Sequence, residues 1–286
     1  MKLIVVAGAA AVALAVTAAV DARSSARIAF SSNRAGDTEI YVMNADGSGV
    51  RRLTHSPKYD APVQWSPDGR RLAFYSQRSP GGDVWVMNAD GSGQTNLTRN
   101  PAHDGGGSWS PDGKKLVFDS NRDGAGDIYV LNADGSGVRR LTNGLGAASA
   151  VWSPDGKTIA FVGDREGKAD IYVMNADGSG QRDVTAGGGR DDLAAWMPGG
   201  GKLSFLRVVH GKAGVYVMNA DGTNQHIVLQ DSKDFISGYA WSPDGRRIVF
   251  SSARDQAAGE IYIANADGSG LHRLTKNRFG DSGPVW

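Results

Sequence analysis

The sequence predicts an all-β, six-bladed β-propeller of four-stranded antiparallel blades, and three observations carry that prediction. The run Asn-Ala-Asp-Gly recurs six times, starting at Asn44, Asn88, Asn132, Asn175, Asn219 and Asn265. A tryptophan keeps the same pace, at Trp65, Trp109, Trp152, Trp196, Trp241 and Trp286. The repeat length suits a four-stranded blade, and the helical periodicity that marks helical repeats of similar length is missing.

Each unit resolves into four strand types. The innermost strand ends at the tryptophan and turns through segments such as Ser66-Pro67-Asp68-Gly69, where proline pre-sets φ and Asp-Gly tolerates positive φ. The second strand alternates polar and apolar residues up to Phe30, Phe74, Phe118, Phe161, Phe205 and Phe250. The third, through Tyr41, Trp85, Tyr129, Tyr172, Tyr216 and Tyr262, is apolar on both faces, as a strand between neighbouring blades must be. The fourth is short and polar, passing Leu53, Leu97, Leu141, Val184, Val228 and Leu274. The last innermost strand is Pro284-Val285-Trp286. Six complete blades require residues 284–286 to join the N-terminal strands, which seals an otherwise open sheet edge.

Composition narrows the functional classes. Among 286 residues, 31 basic and 30 acidic side chains leave a formal charge of +1, which excludes nucleic-acid binding through a broad basic field. The absence of cysteine excludes a disulfide framework and a lipidated cysteine. Lys2 followed by the uncharged Ala/Val-rich stretch Ile4 to Val20 reads as an export signal over residues 1–22, cleaved near Ala22. A membrane anchor is the alternative, disfavoured by the low hydrophobicity of alanine. The expected organisation is a signal peptide followed by one propeller over 23–286, in a periplasmic or secreted protein.

The Trp-Ser-Pro-Asp-Gly turn, the Phe strand, the Ile-Tyr-Val-Met-Asn strand and the Leu-Thr ending resemble the WD-like repeats of the TolB propeller, over roughly residues 25 to 286. TolB proper carries an α/β domain before its propeller, and the run from the leader to Arg27 leaves no room for one. The resemblance implies a non-catalytic scaffold, monomeric, that docks another cell-envelope protein such as a peptidoglycan-associated lipoprotein. The rival is a periplasmic enzyme or carbohydrate-binding module with its site at the channel mouth. Such a site would show non-repeating side chains there, and the sequence offers His103, His210 and Lys233. A regulatory propeller of a peptidase ranks third.

Two charge series recur. Four residues past each strand phenylalanine stand Arg34, Arg78, Arg122, Arg165, Val209 and Arg254. Five before each tryptophan stand Asp60, Asp104, Ala147, Asp191, Ile236 and Asp281. Pairing each arginine with the aspartate of the following blade gives Arg34–Asp60, Arg78–Asp104, Arg165–Asp191 and Arg254–Asp281, orphaning only Arg122. Stitching between consecutive blades is therefore expected at the channel mouth. A cation site for Ca²⁺ on Asp60, Asp104, Asp191 and Asp281 is the weaker alternative. The acids before the third strand (Glu39, Asp83, Asp127, Asp170 and Glu260) repeat similarly and read as structural.

The fifth unit breaks the pattern. Its loop arginine is Val209, its acid is Gly214, and it carries His210 and Lys212, which become candidate partner contacts together with His103. Gly280-Asp281-Ser282-Gly283-Pro284 is similar to a serine-peptidase segment, but it falls at the start of an innermost strand. The Asn-Ala-Asp-Gly-Ser-Gly runs share part of a calcium-loop pattern, but Val42 and Leu53 stand where carboxylates are needed. No catalytic residue or cofactor is therefore expected.

Overall fold

The computed structural model describes residues 27–165, 167–186, 188–230 and 236–286, so the expected leader and Lys233 lie outside it. Among these residues, six four-stranded sheets form the blades. The first blade joins β1 (Arg27–Ala35), β2 (Asp37–Asn44) and β3 (Arg51–Arg52) to β24 (Asp281–Val285). The second holds β4 (Asp60–Trp65), β5 (Arg71–Ser76), β6 (Asp83–Asn88) and β7 (Thr95–Asn96). The third holds β8 (Asp104–Trp109), β9 (Lys115–Ser120), β10 (Asp127–Asn132) and β11 (Arg139–Arg140). The fourth comprises β12 (Ala148–Trp152), β13 (Thr158–Arg165), β14 (Lys168–Asn175) and β15 (Arg182–Asp183). The fifth comprises β16 (Arg190–Trp196), β17 (Lys202–Val209), β18 (Lys212–Asn219) and β19 (His226–Gln230). The sixth comprises β20 (Ile236–Trp241), β21 (Arg247–Ser252), β22 (Glu260–Asn265) and β23 (His272–Arg273).

The ring closes as expected. Strand β24 pairs antiparallel with β1 in the register Ala29↔Val285 and Ser32↔Asp281. Val285 and Trp286 pack on the apolar clusters beneath that seam, and the Arg247 guanidinium lies 4.8 Å from the Trp286 ring. Arg27 over Trp65 and Arg71 over Trp109 repeat this cation–π contact between neighbouring blades.

The six strand phenylalanines are fully buried, each packed against the third-strand aromatic of its own blade. The Asn-Ala-Asp-Gly hairpins also hold blades together. A Cβ on Gly91 would stand 2.7 Å from the Leu53 carbonyl oxygen, so the turn of one blade rests directly on the outer strand of the blade before it. In the same turns the aspartate accepts hydrogen bonds, as Asp46 does from the Ser48 amide (2.9 Å) and hydroxyl (2.7 Å). Those bonds hold the Asp46 carboxyl below its ordinary pKa and account for the recurrence as turn chemistry.

Every innermost strand is irregular where it starts, near the channel. Ser149 and Leu193 sit at these irregularities with φ of 55° and 51°. Left-handed backbone at non-glycine residues is strained, and here the strain re-aims amides and side chains at the mouth.

Candidate functional site

Loops between second and third strands, together with the connections between blades, cluster at one end of the ring and form the rim of its channel. The recurring charges lie there, but they pair within blades rather than between consecutive blades. Arg34 holds Asp281 through two 2.9 Å hydrogen bonds, Arg78 holds Asp60 at 2.5 Å, and Arg122 holds Asp104 at 2.9–3.0 Å. The register explains this correction. Asp60, Asp104 and Asp281 face Ser76, Ser120 and Ser32 across the strand pair, and the arginine two residues later folds back onto the carboxylate. Each guanidinium also covers the phenylalanine and third-strand aromatic of its own blade, at 4.7–5.6 Å. Arg122, expected to be the orphan, is therefore among the paired ones.

The Arg165 side chain, expected to pair with Asp191, lies outside the described residues, and Asp191 is held by a cation that sequence counting missed. Asp191 binds Arg207, its direct cross-strand partner, with Nε–Oδ1 and Nη2–Oδ2 distances of 2.7 Å. Arg207 shares a strand face with Val209, so the cation has moved two residues toward Phe205 and the clamp survives. That i, i+2 exchange was the available signal. Arg254, expected to pair with Asp281, instead covers Phe250 and Tyr262 within its own blade. With Asp60, Asp104, Asp191 and Asp281 each engaged by arginine, the four carboxylates form no open acidic ring. Among the described residues no three His, Asp or Glu side chains are grouped to hold a metal ion.

The second acidic series forms clasps that end the outer strands. Glu39, fully buried, accepts from the Thr54 hydroxyl and from Arg52 Nη2 at 2.6 Å, and the Thr54 hydroxyl in turn accepts from the Ile40 amide at 2.9 Å. Asp83, Asp127 and Glu260 repeat the arrangement with Thr98, Thr142 and Thr275. The fourth blade is defective, because Asp183 occupies the position of Arg52, Asn96, Arg140 and Arg273. Burial first, and then the charge of Asp183, push the Asp170 carboxyl above its ordinary pKa. Asp170 thus binds its proton more tightly folded than unfolded, and its ionisation costs stability as pH rises. Asp183→Asn would copy Asn96, whose Nδ2 donates to Asp83 at 2.8 Å while its Oδ1 accepts from the Thr98 amide. The expected gain is about 1 kcal/mol near neutral pH, fading as pH falls through the raised Asp170 pKa. Urea melts at neutral and acid pH check this; an equal or absent gain at both would refute it.

The fifth blade has no clasp, since Gly214 replaces the acid and Gln230 the threonine. Its outer strand β19 accordingly runs five residues, against two in every other blade. Ile227 folds over Gly214, where an added Cβ would meet Ile227 Cδ1 at 2.7 Å. His210 and Gly211 form a two-residue turn with φ of 50° and 80°, and both positive values suit a type I′ hairpin. His210, Lys212, Tyr216, Ile227 and Gln230 line a cleft of about 370 Å³, which brings the two fifth-unit candidates together.

His103 lies elsewhere, in a group that the repeat pattern concealed. Its ring meets Tyr75 edge-on at 5.4 Å, and Tyr75 neighbours Tyr59 at 6.1 Å. Asp119, on β9 behind them, is pushed above its ordinary pKa chiefly by burial and accepts from the Ser149 amide at 3.1 Å. His55 lines a separate cleft with Lys58 and Arg78 and does not join His103.

Comparison with known proteins agrees with this architecture. The family model for the TolB beta propeller domain matches residues 18–100, 61–150 and 143–238. TolB from Acinetobacter baumannii superposes with a TM-score of 0.80 at 22% identity, over 91% of this chain and 66% of that one. A structure assigned to TolB from Agrobacterium tumefaciens gives a TM-score of 0.73 at 25% identity, over 90% and 91% of the two chains. An oligogalacturonate lyase in complex with manganese shares the fold at a TM-score of 0.60 and 15% identity, over 89% of this chain and 75% of that one. Among curated proteins, the uncharacterized peptidase YuxL of Bacillus subtilis is 41% identical over 46 residues, only 16% of this chain and 7% of that protein. Matches of the family model from residue 18 to residue 238, on a ring of repeated four-stranded blades, establish that the chain belongs to the TolB β-propeller family.

Proposed function

We propose that this chain is an exported, non-catalytic, monomeric propeller of the cell envelope that docks a protein partner on its rim, a peptidoglycan-associated lipoprotein being the first candidate. Residues 1–22 would be the cleaved signal and 23–286 the working domain. The observation that carries the reading is the fifth blade. Its clasp is missing, and its uncharged edge strand His226–Gln230 shares a cleft with the exposed side chains of His210 and Lys212. Other outer strands are short and mostly charged, which protects sheet edges from unwanted pairing. An edge kept long and apolar suits addition of a partner strand, and the stiff hairpin rim limits the ordering cost of docking.

Calorimetric titration of the purified periplasmic domain of a peptidoglycan-associated lipoprotein tests the proposal. Saturable binding is expected, weakened roughly tenfold or more in an Ile227→Asp/Lys212→Glu variant. Absence of binding, alongside turnover of a polysaccharide, would overturn it in favour of an enzyme or carbohydrate-binding module. Full affinity in the variant would place the contact elsewhere and remove the fifth blade's role.

A further inference from the structure

We infer that the channel mouth between the second and third blades is a receptor for one protonated primary amine, supplied by a lysine side chain or N-terminus of the docked partner. The inference deepens the docking reading and rests on it for the source of the amine. The binding pocket itself follows from Tyr59, Tyr75, His103, Gly105, Asp119 and Ser149.

Two hydrogen-bond acceptors border the same space beside Gly105. His103 Nδ1 lies 3.0 Å from the Gly81 carbonyl oxygen, which can only accept, so the proton sits on Nδ1. In the neutral ring with that proton placement, Nε2 is the acceptor. A Cβ placed on Gly105 would stand 3.2 Å from that nitrogen and 2.7 Å from Asp119 Oδ2. Any side chain at this position would cover both acceptors, and glycine leaves them uncovered for a ligand that sits farther from its Cα. The other oxygen, Asp119 Oδ1, is occupied by the amide of Ser149, which the strained bulge of β12 delivers from the neighbouring blade.

The charge at this point is unbalanced. Asp60, Asp104, Asp191 and Asp281 each hold an arginine, whereas Asp119 has none among the described ion pairs. Burial disfavours its ionised form, and a cation brought by a ligand would offset that cost. An ammonium supplies three donors and one positive charge to two acceptors, leaving one donor for water. Tyr75, edge-on to His103, and the 41% exposed Tyr59 next to it add aromatic surface at the mouth, which favours a cation over a neutral group. A divalent metal would find too few ligands here, since only His103 and Asp119 converge.

The test uses Nα-acetyl-lysine methylamide as the amine and its Nε-acetylated form as the neutral control, followed by NMR of the histidine imidazoles. Saturable shifts of the His103 resonances are expected with the amine and not with the control. Asp119→Asn and His103→Ala should each weaken binding about tenfold. His103 is exposed, so its variant reports on the pocket even if Asp119→Asn proves unstable. Equal binding of the neutral control, unchanged affinity in both variants, or the absence of saturable shifts would overturn the inference. Loss of amine binding with intact lipoprotein docking condemns this pocket alone, whereas the converse condemns only the docking reading.

Discussion

Deleting Gly283–Trp286 is expected to lower the thermal midpoint by roughly 10–20 °C, the largest effect of any change considered. The deletion removes Val285 from its place opposite Ala29 and strips Trp286 from the cluster of Ile28, Phe30, Met43 and Val249. Losing a packed tryptophan and a valine costs on the order of 5 kcal/mol, before any cost of exposing the edge of β1. The Arg34–Asp281 clamp would lose the strand that orients it, although both residues remain. Differential scanning calorimetry of the truncated and full chains measures the shift. A midpoint within about 2 °C of the parent would mean that the seam contributes little.

Asp191→Ala should destabilise the protein by about 3–5 kcal/mol, because it strands a buried cation. The Arg207 side chain is only 8% exposed, and among the described residues its remaining hydrogen-bond partner would be Gln225, 2.9 Å from Nη1. Replacing both partners should cost far less. Asp191→Ala combined with Arg207→Met removes the charge together with the need to desolvate it, and an apolar pair of similar volume is often neutral. The sixth blade already shows such an apolar solution, with Ile236 opposite Ser252. Urea unfolding of the single and double variants gives the coupling directly. If the single variant loses less than about 1 kcal/mol, the clamp is ornamental.

The blades were legible because their signals repeat. Six tryptophans, six phenylalanines and six Asn-Ala-Asp-Gly turns mark strand ends, and a strand count running from Phe30 to Trp286 is enough to demand closure. The partners of the arginines were not legible, for a related reason. A series with one period can be matched to another at either of two offsets, and only the cross-strand register of Asp60 with Ser76 decides between them. Arg207 escaped because it left the series by two residues while keeping its face. The group at the mouth was hidden more deeply. Tyr75 and Asp119 occupy one repeat position that elsewhere holds Ser31, Val162, Leu206 and Ser251, and His103 comes from a connection between blades. Residues from different repeat positions meet only when blades are placed side by side, which one-dimensional counting does not do.

The seam between β24 and β1 also bears on how the ring assembles. Its Arg34–Asp281 bond links positions 247 residues apart, whereas each Asn-Ala-Asp-Gly hairpin closes over a handful of residues. Loop-closure entropy therefore favours blades that zip locally first and a ring that locks late. Until that lock forms, β1 offers an unpaired flank to any neighbouring chain. Refolding should accordingly become less efficient as protein concentration rises, with intermolecular strand exchange competing against the intramolecular seal.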